Sequence, residues 1–73
     1  MKPNSTLHDG IKASLNALHQ VLVAAVKDTH EACGHIARHE QNMAIGTVMP
    51  VEQLLEQAVV LYKAVIAMHR CKL

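Results

Sequence analysis

From Ile11 onward, apolar or small residues return at alternating steps of four and three: Ile11, Leu15, Leu18, Leu22, Ala25, Thr29, Ala32 and Ile36, with His39 and Met43 continuing the series. Because 3.6 residues make one turn, such steps keep one side of an α-helix apolar. The pattern predicts a single long helix over about 6–44. Thr6 with Asp9 three positions later is its start signal, and Ser5 or Asn4 could cap equally well.

The stretch "AIGTVMP", residues 44–50, interrupts the pattern. Gly46 suits the left-handed position beyond a helix end, and Pro50 suits the first position of a following helix. A turn over about 45–49 is therefore expected, then a second helix over about 50–70. That helix carries Val51, Leu54, Ala58, Leu61, Val65 and Met68 on one seam. Leu55, Val59, Tyr62, Ile66 and His69 lie on an adjoining one. Together the two seams are wider than one neighbouring helix can cover.

The expected fold is thus an all-α antiparallel helical hairpin in one domain, residues 1–73. Helices of these lengths would measure about 57 Å and about 32 Å. The shorter would shield only residues near 25–44 of the longer. Ile11, Leu15, Leu18 and Leu22 would then lie bare, and an exposed strip of that size marks an association surface. A homodimer forming a four-helix bundle would cover it together with Leu55, Val59, Tyr62 and Ile66. The alternative is a three-helix monomeric bundle, with the long helix broken at "KDTHE", residues 27–31, where Asp28 could cap.

Composition agrees with helix. Hydrophobic residues make up 51% of the chain, but Tyr62 is the only aromatic, and strands draw heavily on aromatics. A chain of 73 residues is also short for a core of its own, which again favours a partner. No apolar run is long enough for a membrane span, since His19, Gln20 and Lys63 interrupt them. The opening "MKPNST" lacks the apolar core of a secretory signal, so the expectation is a cytoplasmic protein with Cys33 and Cys71 as free thiols. The net charge is +1 and the basic residues are scattered, which argues against a third possible role, a nucleic-acid-associated regulator.

Chemistry concentrates in "HEACGHIARHE", residues 30–40. Glu31/His35 and His35/His39 are each four apart and share a helix face. A third ligand must come from elsewhere, and the expected hairpin brings Glu52 and Glu56 nearest. His35, His39 and Glu56 are therefore the candidate metal set, with zinc the candidate ion. There is no H-E-x-x-H motif and no Gly-rich phosphate loop, so no enzyme is expected. The function that follows is a small non-enzymatic protein–protein interaction module, an adaptor, inhibitor or co-chaperone. Its alternative is a metal-binding helical bundle.

Overall fold

The computed structural model describes residues 5–71. Three helices follow one another: α1 (Ser5–Ala37), α2 (Gln41–Val48) and α3 (Val51–Arg70). Both α2 and α3 pack against α1, forming one return arm. The molecule is therefore a helical hairpin, 57 × 16 × 11 Å in extent. The long helix runs unbroken through residues 27–31, so the three-helix alternative does not form.

The turn falls earlier than expected, at residues 38–40 rather than 45–49. The amide of Glu40 donates to the His35 carbonyl at 2.9 Å, and that of His39 to the Ile36 carbonyl at 3.0 Å. This pair of bonds defines a Schellman end, in which the residue after the cap is left-handed. His39 occupies that position at φ 62°. Gly46 does not take it; it lies inside α2 with negative φ. A polar run, Arg38–Asn42, marks the exit, since no apolar residue is available there to hold a helix against its neighbour.

Pro50 has a different part. Lacking an N–H, it cannot donate to the Gly46 carbonyl, and the helical ladder lapses between α2 and α3. Met49 and Pro50 nevertheless keep right-handed backbone angles, so the arm is interrupted without reversing.

An earlier turn lengthens the return arm, and this corrects the argument from unequal helices. At the far end, a Cβ on Gly10 would stand 3.0 Å from Sδ of Met68. The arm therefore reaches back almost to the start of α1. Residues whose numbers add to about 78 lie level with one another, a register that the turn centred on His39 also satisfies.

The seam of α3 is the expected one: Val51 and Ala58 are buried, and Leu54, Leu61, Val65 and Met68 are partly covered. That of α1 is rotated. Gly10, Ser14, Ala17, Val21, Ala24, Ala25 and Asp28 turn toward the arm, whereas Leu15, Leu22, Thr29 and Ile36 are exposed. Small side chains allow close helix approach, so they take the inside and displace the leucines outward. Thr29 bears exposure readily, its hydroxyl donating to the Ala25 and Val26 carbonyls of its own helix, both at 2.9 Å.

The resulting core is thin. Among the described residues, only Ala25, Ala44, Val51 and Ala58 are buried. The radius of gyration is 17.0 Å, against about 11 Å for a compact chain of this length. The accessible surface is 5842 Å², against about 4,450 Å² for a globular monomer of this mass.

Candidate interaction face

The side of each helix that a residue occupies follows from a rotation of about 100° per position. On α1, the inward stripe is flanked on one side by Leu15, Leu22, Val26, Thr29, Cys33 and Ile36. On α3, the corresponding flank holds Leu55, Val59, Tyr62 and Ile66. Because the helices are antiparallel, these flanks fall on the same broad face of the hairpin. Ile11 of α1 and His69 of α3 meet at its open end, where both line one hollow with Leu7 and Met68.

The two sets thus lie on one face. Leu15 and Leu22 are 46% and 41% exposed, and Leu55, Val59 and Tyr62 are 50%, 50% and 57% exposed. Ile11, Leu18 and Ile66 are half-buried at its inner margin. Toward the turn the face continues into an open groove of about 320 Å³ between α1 and α2, lined by Ala32, Cys33, Ile36, Ala44, Ile45 and Val48 among others. Val26, Ile45 and this groove were missed by sequence reasoning. Placing the turn at 45–49 left α2 unrecognised as part of the arm.

The opposite face differs in kind. It carries Gln20, Lys27 and Glu31 of α1 beside Gln53 and Gln57 of α3, with small residues such as Ala13, Ala64 and Ala67 between them. Val60, and Val23 at the back of α1, are its exposed large aliphatic residues. Along the outer edge of α3, Glu52, Glu56, Lys63 and Arg70 fall within about 40° of one line. Acid and base share that edge, so it is not a basic strip.

The candidate metal ligands are not brought together. His39 sits in the turn, and His35 at the end of α1 is engaged by its own loop. Glu56 lies level with about Leu22, roughly 20 Å along the axis from His35. Among the described residues, no three His, Cys, Asp or Glu side chains are grouped to hold one ion. Cys33 and Cys71 are exposed and unpaired, at opposite ends of the hairpin.

What the polar cluster does is fasten the turn. Nδ1 of His35 lies 3.1 Å from Oε1 of Glu40, and Nε of Arg38 donates to the same oxygen at 3.0 Å. Nη2 of Arg38 also stands 3.1 Å from His35 Nδ1. One nitrogen cannot both donate to Glu40 and accept from Arg38. We assign the proton to Nδ1, because both donors then serve the carboxylate. The hydrogen bond from His35, then that from Arg38, holds the Glu40 carboxyl below its ordinary value of 4.5.

Among the described residues, no helix is long and apolar enough to cross a membrane. No family model matches this chain, and no curated protein or solved structure matches it either.

Proposed function

We propose that this protein is a small non-enzymatic interaction module, of the adaptor, inhibitor or co-chaperone kind, that works by burying its apolar face against other helices. The observation that carries the reading is the continuity of that face: Leu15 and Leu22 of α1 and Leu55, Val59 and Tyr62 of α3 stand exposed side by side. Contiguous apolar surface of this extent is rare on a protein that stays alone in water. The thin core supports the same reading, because two helices alone cover little apolar surface. Tyr62 is the anchor, since an aromatic ring supplies much contact area for few rotatable bonds. Self-association into a four-helix bundle is the simplest assembly that covers the face.

The test combines solution mass with an apolar-surface dye. A defined oligomer, or a monomer that binds the dye until Leu22 and Tyr62 are replaced by polar residues, is the expected result. A monomer that neither associates nor binds dye would overturn the reading.

A further inference from the structure

Two hairpins meeting face to face can be related by a twofold axis running along them or across them. An axis along the hairpins puts both turns at one end and seats α1 on α3. An axis across them puts the turns at opposite ends and seats α1 on α1 and α3 on α3. We propose that the apolar face is covered by a second copy in the crosswise arrangement, with the axis passing at the level of Leu18 and Val60. The proposal rests on the interaction reading above and names the partner.

Three observations favour it. On α3, Glu52 and Glu56 precede Lys63 and Arg70 along one edge. Antiparallel seating of α3 on its copy sets Glu52 level with Arg70 and Glu56 near Lys63, so unlike charges meet along the rim. The lengthwise arrangement instead puts Lys12 of α1 within about 6 Å, along the axis, of Lys63 and Arg70 of the second copy.

The second observation is that the apolar stripes share one centre. On α3, Leu55 pairs with Ile66 of the second copy and Val59 with Tyr62, both about a point between Val60 and Leu61. On α1, Leu15 pairs with Leu22 of the second copy about a point between Leu18 and His19. The Gly10–Met68 register places these two centres within about one residue of each other along the hairpin, roughly 1.5 Å. One axis can therefore serve both helices.

Area is the third. The crosswise overlap spans about 28 residues of α1, roughly 40 Å, and is two helices wide, so each copy covers on the order of 800 Å². A specific interface buries about that much per partner. The overlap ends at Ala32, on the margin of the groove, and stops short of Ile36 and Ile45.

The experiment uses the full chain with Cys33 and Cys71 replaced by serine. Leu15→Cys and Leu22→Cys are introduced singly, and each variant is confirmed helical. Air oxidation, with dissolved oxygen accepting the electrons, should give several-fold more covalent dimer from the two variants mixed than from either alone. In a second arm, E52K/E56K and K63E/R70E should each lose dimer when alone and regain it when mixed. A native dimer showing neither preference would overturn the arrangement while leaving the interaction reading intact. A monomer by mass would overturn the second copy as occupant, and dye binding would then decide the reading separately.

Discussion

The two broad faces of this hairpin are built from the same helices and differ in what they offer water. One presents Leu15, Leu22, Leu55, Val59 and Tyr62 in a continuous strip; the other presents Gln20, Lys27, Glu31, Gln53 and Gln57, with small residues between. A scatter of single apolar residues on a surface needs no explanation. Segregation to one side does, because a random scatter would expose both sides alike. The contrast gives the molecule a direction: large apolar side chains gather on one face, and polar and small ones on the other.

The largest effect expected from this contrast is on assembly. Replacing Leu15 and Leu22 together by glutamate should remove association and lower stability by about 4 kcal/mol, at about 2 kcal/mol for each lost interface anchor. Sedimentation and thermal unfolding at two protein concentrations would measure it, since a protein stabilised by association melts higher when concentrated. The matching change on the other face, Gln20→Glu with Gln57→Glu, should leave mass unchanged. Equal effects from the two faces would break the comparison.

Ile36→Glu sharpens it. The tip of the apolar face lies outside the crosswise overlap, so this change should cost about 1 kcal/mol or less, as for other half-exposed sites. A loss as large as that from Leu22→Glu would show that the face is used along its whole length.

The turn belongs to neither face and should respond independently. A left-handed conformation costs a non-glycine residue about 1–2 kcal/mol, so His39→Gly should raise stability by about 1 kcal/mol, read as a higher melting temperature, without altering the mass in solution. Val60→Gln, on the polar face, should change stability by less than about 0.5 kcal/mol.

Acid should produce the smallest change. Glu40 has a lowered pKa when folded, so its contribution is present above the ordinary carboxylate value of 4.5 and fades as pH falls below it. Glu40→Gln should flatten that part of the stability profile, measured by denaturant midpoints between pH 5 and pH 3. An unchanged profile would separate the turn cluster from folding.

Much of this was legible in the chain. Of the eight residues expected at an association surface, Leu15, Leu22, Leu55, Val59 and Tyr62 are exposed while Ile11, Leu18 and Ile66 are half-buried, and the α3 seam of Val51, Leu54, Ala58 and Leu61 is the one observed. The position of the turn was not legible, because Gly46 and Pro50 look like a stronger stop than "RHE". The signal was the uninterrupted polar run from Arg38 to Asn42, which no packed helix face would carry. The metal set followed from the misplaced turn and fell with it. His35 instead meets Glu40, five positions on, a partner that helical spacing alone would not choose.

Helix content and the wide apolar stripe of each helix were settled by the sequence itself, because they depend on spacing within a few turns. Which part of a wide stripe faces inward was decided by packing: the small residues at Gly10, Ser14, Ala17 and Ala24 let α3 approach, and the larger leucines were left outside. Register, too, belongs to the tertiary structure. It depends on the left-handed turn at His39, and moving that turn by a few residues changes which residues of the two helices meet.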